Sequence, residues 1–338
     1  QITVLVYDKD INKIKRICQR ENLPICIIGK TKNSNEIIVY DSKSNIVRFP
    51  VYLELDKILG NVPKKIFKLV KKNINYPSIL MDYNSMDIYN CLNRVLKLLS
   101  VGSKRFLVNK VDRSVTGLVA QQQCIGPFQL PLSNYAILSQ SHFETTGVAT
   151  SIGEQPIKGI IDYSCMVRMT VAEMLTNLMW AEVSSFEDIK CSGNWMWALK
   201  CNPEEYYNLY NAVSELSNFL IKLGIGIDGG KDSLSMSVKH KKTLIKSPNT
   251  LVLSSYVTCP NILNVITPDF KGVGNHILFI DMSGGYNRLG GSCFAQIIKC
   301  VGNKCPDIKD YKLLRGVFKC VQTLIKQNLI LSGHDRSD

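Results

Sequence analysis

Residues 164–183 give the strongest helix pattern in the sequence, because apolar side chains recur there at helical spacing. The polar side chains Thr170, Glu173 and Asn177 are spaced so that they share one face of this helix. A carboxylate and an amide oxygen one turn apart can reach the same hard cation, and Mg²⁺ takes oxygen ligands. The spacing alone leaves two interpretations open, a magnesium site or a solvated polar stripe.

Short strands punctuated by glycine and proline surround this helix and indicate an α+β or α/β fold. A second long helix is predicted over 206–223, and a lysine-rich, helical connection over 64–100. A new segment begins near residue 272, with an apolar run at 276–281 and then a glycine-rich turn. The patterns predict strands at 2–7, 25–29, 37–40, 105–108, 115–120, 134–140, 157–161, 251–258 and 276–281.

Length and composition exclude several classes of protein. The 338 residues are 45% hydrophobic and 20% charged, which suits two or three globular domains and excludes a disordered chain. No apolar run approaches the roughly 18 residues of a membrane span, and no signal peptide is evident. The 12 cysteines and four histidines lack zinc-site spacing, so buried free thiols in a reducing cytosol are expected.

The formal net charge of +13 suggests phosphorylated partners without choosing among them. A solvated lysine-rich surface explains most of the excess, and no nucleic-acid motif accompanies it. The glycine-rich segment 224–236 could approach a phosphate, although it lacks P-loop spacing, and a plain turn explains it equally. The segment 112–117 could bind an anion or simply form a turn. The sequence assigns no individual role to Asp112, Arg113, Lys231, Asp232 and Ser233.

Eight motifs, in one order, together resemble phosphoribosylformylglycinamidine synthase, the ATP- and glutamine-dependent amidotransferase family of purine synthesis. Any one of them is weak, whereas the ordered set is specific. The motifs are Val111-Asp-Arg-Ser-Val-Thr-Gly-Leu-Val-Ala120, Gln123-Cys-Ile-Gly-Pro127, Ser151-Ile-Gly-Glu154, Ala172-Glu-Met-Leu-Thr-Asn177, Cys191-Ser-Gly-Asn-Trp-Met-Trp197, Gly229-Gly-Lys-Asp-Ser-Leu-Ser-Met236, Arg288-Leu-Gly-Gly291 and Gly333-His-Asp-Arg-Ser-Asp338.

The resemblance implies a domain organisation. The family's large form has two tandem pairs of aminoimidazole-ribonucleotide-synthetase-like domains and then a glutaminase domain. Residues 1–63 resemble the end of the first C-terminal domain. Residues 64–260 resemble the second N-terminal domain, and 261–338 the start of its C-terminal partner. Both chain ends look cut, so a central fragment is expected, lacking the first synthetase half and the glutaminase domain.

The resemblance also implies a reaction and its ligands. The family converts formylglycinamide ribonucleotide to the amidine: ATP activates the formamide oxygen, and ammonia derived from glutamine displaces the phosphate. The second synthetase copy carries an auxiliary nucleotide, ATP or ADP, with Mg²⁺. Carried over by position, the nucleotide contacts are Lys104, Ser133 and Ser337, and the Mg²⁺ ligands are Asn134, Glu173, Asn177 and Asp335. No residue of this chain is assigned a catalytic role, and the chain alone is expected to be inactive.

Position 134 departs from the family pattern, which carries an aspartate there. An amide oxygen can still ligate Mg²⁺, but one negative charge is lost, so weaker metal binding is expected. The alternative is a nucleotide-binding structural or regulatory protein that kept the fold without the chemistry. Neither a membrane nor a nucleic acid is expected as a partner.

Overall fold

The computed structural model describes residues 2–41, 49–60, 62–72, 75–81, 84, 86–115 and 117–336. The chain divides into two compact units, Gln1–Ile66 and Phe67–Asp338. This division falls near the predicted boundary at residue 63. The predicted boundary near residue 260 lies inside the second unit and stays a prediction.

The described part of the first unit contains an α-helix, a hairpin, a 3-10 turn at Asp8–Asp10 and a π-helical turn at Asp56–Gly60. Helix α1 spans Ile11–Arg20, and strands β1 (Glu36–Val39) and β2 (Val51–Glu54) pair antiparallel. Strand β1 matches the strand predicted at 37–40, whereas 2–7 and 25–29 form no strand. A strand needs a neighbour for its backbone hydrogen bonds, and these apolar runs find none among the described residues.

A six-stranded sheet forms the centre of the second unit. Its order is β3-β6-β7-β12-β8-β9, and all neighbours are antiparallel except β8 and β9. Two short hairpins accompany it. The strands are β3 (Val119–Gln121), β4 (Cys124–Ile125), β5 (Leu130–Pro131), β6 (Tyr135–Ser139), β7 (Gly147–Glu154), β8 (Lys190–Met196), β9 (Gly226–Ser233), β10 (Ser237–His240), β11 (Thr243–Lys246) and β12 (Thr250–Cys259).

Helices cover one face of this sheet. The helices of the second unit are α2 (Ile88–Leu96), α3 (Arg105–Val108), α4 (Pro156–Gly159), α5 (Tyr163–Leu178), α6 (Glu204–Leu223), α7 (Cys293–Ile297) and α8 (Tyr311–Lys326). Helix α5 packs on β7 and β12, and α6 and α8 pack beside it. Alternate residues of β7 and β12 are buried, as expected for strands covered on one face.

Several predicted elements are confirmed and others are wrong. The long helices α5 and α6 and the strands β6 and β12 lie where the sequence predicted them. Residues 105–108 and 156–159 are short helices instead of strands, the second beginning with Pro156 in its first turn. Of the helix predicted over 64–100, the described part is helical only at α2. Residues 276–281 form no strand.

Among the described residues, no helix is long and apolar enough to cross a membrane.

Candidate functional site

The segment after α8 brings a carboxylate back onto the central domain. The side chain of Asp335 is only 3% exposed. Asn134 Nδ2 donates to its Oδ1 at 3.2 Å, and Thr176 Oγ1 lies 3.4 Å from its Oδ2. The neighbouring His334 ring contacts the Leu132 carbonyl through Nε2 at 2.9 Å. The structure therefore joins the C-terminal segment both to the start of β6 and to α5.

Glu173 projects from α5 towards the end of β7. Its Oε2 accepts hydrogen bonds from the Glu154 backbone N–H at 2.7 Å and from Gln155 Nε2 at 2.9 Å. The helix can come this close because position 153 is glycine. A Cβ on Gly153 would lie 2.3 Å from the Thr170 carbonyl oxygen. The motif glycine thus sets the distance between the strand and the carboxylate.

Asn177 lies one turn further along α5 and is buried. Its Nδ2 donates to the Ile152 carbonyl at 2.9 Å, which fixes the side chain. Its Oδ1 is buried and finds no hydrogen-bond partner within the described part of the chain. Thr170 Oγ1 on the same helix face is also without one there. Unpaired buried acceptors are costly, so such an oxygen is suited to a cation or an ordered water.

The donor set fits a hard cation by its chemistry. Two carboxylates, of Glu173 and Asp335, and two amides, of Asn134 and Asn177, are oxygen donors of the kind that Mg²⁺ accepts. Nowhere in the described ranges do three His, Cys, Asp or Glu side chains cluster as a metal site.

A buried lysine that the sequence analysis missed adjoins the site. Lys158 is 7% exposed, and its Nζ donates to Gln155 Oε1. Burial lowers the pKa of Lys158, and the nearby Glu173 carboxylate opposes that shift. Gln155 therefore connects a buried ammonium group to Glu173. The sequence signal was the short Gln-Pro-Ile-Lys stretch directly after the motif that ends at Glu154. The pattern predicted a strand over 157–161 and so gave this lysine no role.

Of the three nucleotide contacts carried over from the family, Lys104 and Ser133 lie among the described residues. Lys104 Nζ donates to the Leu99 carbonyl, and no described hydrogen bond joins Lys104 to the site. Ser133 is buried; its hydroxyl contacts the Tyr135 carbonyl, and its backbone N–H donates to the Gln123 carbonyl at 3.1 Å. Ser337 lies outside the described residues. All three remain predictions.

The glycine-rich segment is regular structure. Gly224 ends α6 in the left-handed conformation with φ 80°, and residues 226–233 form β9. Lys231 Nζ donates to Ser233 Oγ at 2.8 Å, within the strand itself. Arg113 of the other candidate segment bonds to Gln122 and Gln129 side chains at 2.8 and 2.6 Å. Neither segment joins the Glu173 cluster through a described contact.

The fold defines the class of protein. Residues 103–258 match the family model described as "FGAR-AT PurM_N-like domain". PurLQS from Thermotoga maritima superposes with a TM-score of 0.53 over 79% of this chain and 39% of its own, at 13% identity. Thermotoga maritima PurL complexed with ATP gives 0.52 over 79% and 38%, also at 13%. The central domain therefore has the PurM-like fold, as the resemblance predicted.

Sequence similarity identifies the family. Phosphoribosylformylglycinamidine synthase of Dictyostelium discoideum is 47% identical over 96% of this chain, and that of Homo sapiens 41% over 96%. A probable chloroplastic/mitochondrial one from Arabidopsis thaliana is 45% identical over 100%. The chain belongs to the phosphoribosylformylglycinamidine synthase family, and it spans about 25% of the length of these relatives. The family predicted from the motifs is confirmed.

Proposed function

We propose that this chain is the central part of an ATP- and glutamine-dependent ligase that converts formylglycinamide ribonucleotide to formylglycinamidine ribonucleotide. The observation that carries the proposal is 41–47% identity to phosphoribosylformylglycinamidine synthases over nearly the whole chain. Exposed apolar side chains also support it. The adjacent side chains of Ile277 and Leu278 are 81% and 86% exposed. Neighbouring apolar side chains that are this exposed suit burial against further domains.

Within that ligase, this chain would hold an auxiliary nucleotide, ATP or ADP, together with Mg²⁺. The ligands of the cation are the oxygens of Asn134, Glu173, Asn177 and Asp335. A bound cation would neutralise phosphate charge and fix the polyphosphate in place. The support is geometric: Asp335 lies 3.4 Å from Thr176 on the helix that carries Glu173 and Asn177, and the Asn177 Oδ1 is buried and unpaired among the described residues.

The catalytic partners are proposed to lie in other parts of the same protein. These parts are the first synthetase half and the glutaminase domain. The reactants that they would handle are formylglycinamide ribonucleotide and glutamine-derived ammonia. The isolated chain is then expected to show no synthase turnover, with glutamine or with ammonia. A cytoplasmic location stays a prediction, since the Arabidopsis thaliana relative is named as chloroplastic/mitochondrial.

A second candidate function is a structural nucleotide-binding domain without a bound metal. The observation that favours it is the Asn134–Asp335 hydrogen bond of 3.2 Å. With aspartate at position 134, two carboxylates would face each other, and a cation between them would relieve their repulsion. With asparagine, the amide satisfies Asp335 directly. The two candidates differ in whether nucleotide binding depends on Mg²⁺.

Calorimetric titration of ADP into the 338-residue chain, with Mg²⁺ and with a chelator, tests both candidates. Under the first, binding requires Mg²⁺, and Glu173→Gln weakens it about 10-fold or more, because an anionic ligand is lost. Glu144→Gln is the matched control. Glu144 is exposed in the loop that joins β6 and β7, at the far end of that hairpin from Asn134.

The outcomes separate the parts of the proposal. If ADP affinity is unchanged by the chelator and by Glu173→Gln, the metal site is wrong and the second candidate is favoured. A loss shared equally by Glu144→Gln contradicts a specific role for Glu173. Complete absence of ADP binding contradicts both candidates and leaves a degenerate copy whose role is to join the other domains.

A further inference from the structure

Two buried thiols meet at the start of α5, more than two turns from Glu173. Cys165 lies in the first turn of α5, and Cys305 in the segment that precedes α8. Their sulfur atoms are 2.9 Å apart, and the residues are 2% and 6% exposed. A covalent S–S bond is about 2.05 Å long, so closing it requires a movement of roughly 0.9 Å.

The backbone around the two sulfurs is held together by other contacts. Arg168, one turn along α5, binds the Asp307 carboxylate through Nε at 2.7 Å and Nη2 at 2.9 Å. Cys165 Sγ also donates to the Pro306 carbonyl at 2.7 Å. Charge-assisted bidentate pairs of this kind are strong and directional. The Arg168–Asp307 pair, which involves neither thiol, therefore holds the two backbone segments together.

The two thiols have unequal acidity. The contact with Cys305 and burial raise the pKa of Cys165 above its usual range. The neighbouring Cys165 thiol, in turn, lowers the pKa of Cys305. The buried Lys158 ammonium lies close enough for both thiols to affect its pKa. A thiol with a lowered pKa in contact with a second thiol is the arrangement that supports thiol–disulfide exchange.

We infer that Cys165 and Cys305 are a reversible oxidation site that takes a low-molecular-weight disulfide of the glutathione type. The Cys305 thiolate attacks one sulfur of the reagent and releases the other as a thiolate. Cys165 then loses its proton to that thiolate and attacks the Cys305 sulfur, releasing the second half of the reagent. Two protein thiols are oxidised, and one small disulfide is reduced to two thiols.

The disulfide would tie α5 to the segment leading into α8. The two residues are 140 positions apart, so the link closes a long loop and removes much conformational freedom from the unfolded chain. The inference itself does not depend on the proposed function.

Mass spectrometry of the 338-residue chain tests this assignment. The chain is equilibrated in oxidised and reduced glutathione buffers, alkylated with iodoacetamide and digested. The expected product in oxidising buffer is a cross-linked peptide pair containing positions 165 and 305. Burial makes its formation slow, since the reagent must wait for local opening. The thermal midpoint should rise by about 5 °C or more and return after dithiothreitol.

Two variants make the result specific. Cys305→Ser must abolish both the cross-link and the rise in thermal midpoint, while Cys320→Ser, at an exposed thiol on α8, must leave both intact. If Cys305→Ser does not fold, Cys305→Ala and the wild-type peptide map decide. Glutathione adducts on exposed thiols such as Cys26 and Cys320, with no peptide joining 165 to 305, would overturn the assignment.

Discussion

Asn134 donates its amide N–H to the Asp335 carboxylate at 3.2 Å, and in the proposed site this pair would decide how the chain responds to a cation. Asn134→Asp replaces the donor by a second carboxylate. Without metal, the two like charges repel, and the folded chain should lose about 1–3 kcal/mol. With excess Mg²⁺ the added charge becomes a ligand, and Mg²⁺ affinity should rise about 10-fold. Thermal unfolding with chelator and with Mg²⁺ measures both effects.

Asn261→Asp is the matched control for this change. Asn261 follows β12, near the opposite end of the β6–β7 hairpin, and its Oδ1 accepts from the Leu263 N–H at 3.1 Å, which aspartate can also do. The control should unfold equally with chelator and Mg²⁺. If Asn134→Asp behaves like the control, no cation binds between positions 134 and 335.

Part of the proposed site could be predicted from the sequence, for identifiable reasons. Helical spacing placed Glu173 and Asn177 on one face, and the structure keeps them one turn apart on α5. The contact of Asp335 with Asn134 spans 201 positions and could be predicted only through the family resemblance. The buried Lys158 was missed because a single lysine in an apolar stretch carries no periodic signal. Its environment comes from tertiary packing.

At the scale of elements, the β7–α5 contact depends on Gly153. A Cβ there would lie 2.3 Å from the Thr170 carbonyl oxygen and 2.6 Å from the Met174 nitrogen. Both are backbone atoms, so the helix must move. Gly153→Ala should therefore destabilise the chain by about 3 kcal/mol or more. Because the helix carries Glu173, ADP affinity should fall as well. Urea unfolding and ADP titration measure the two losses.

Gly224→Ala separates this steric effect from the conformational cost of losing a glycine. Gly224 ends α6 with φ 80°, and nothing lies within 4 Å of its Cβ position. Only backbone strain opposes the alanine, so about 1 kcal/mol is expected and ADP affinity should not change. Equal losses in the two variants would contradict close packing at Gly153.

The 3-10 turn Phe186–Asp188 is joined to α8 by an acid-sensitive contact. Lys319 Nζ donates to Glu187 at 2.8 Å, and with Arg315 it lowers the pKa of Glu187 to about 2. A carboxylate with a lowered pKa stabilises the fold above its unfolded pKa of about 4.3, and this contribution disappears as the pH falls to about 2. The pair is half exposed, so it should contribute less than about 1 kcal/mol.

Glu187→Gln tests that contact. Urea unfolding at low salt should show the variant less stable than wild type near pH 6, with the difference largely gone near pH 2. Glu144→Gln, which alters an exposed carboxylate in the β6–β7 loop, should show little difference at either pH. A Glu187→Gln deficit that persists unchanged near pH 2 would indicate lost packing and contradict the role of the charge.

Long helices could be predicted from their repeating apolar pattern. Short strands could not, because a strand forms only where it pairs with a neighbour. Helices α5 and α6 repeat their apolar positions over four or more turns, so periodicity identified them. The apolar run 276–281 has the composition of a strand, yet forms none. Strand formation requires a partner edge, which the run itself does not specify. Residues 156–159 form a helical turn that begins at proline, although their apolar pattern predicted a strand.

At the scale of the whole molecule, the two units differ in how much they bury. In the described part of 2–66, Cys18 is the one buried apolar side chain. In the second unit, α5, α6, α8 and the central sheet share a continuous core. Because burial and cooperative packing set local stability, amides of the first unit should exchange with solvent far sooner than those of β7, β12 and α5. Hydrogen–deuterium exchange of the 338-residue chain measures this.

The hairpin of β10 and β11 tests whether amide exchange is controlled by local burial or by the unit to which a strand belongs. It belongs to the second unit, but its two strands pair only with each other in the described sheets, and β11 is exposed throughout. If burial controls exchange, this hairpin should exchange nearly as fast as β1 and β2 despite its neighbours. Protection of the hairpin equal to that of β12 would show that the second unit unfolds only as a whole. Protection of β1 and β2 equal to β12 would mean that the first unit draws its stability from contacts other than its own core.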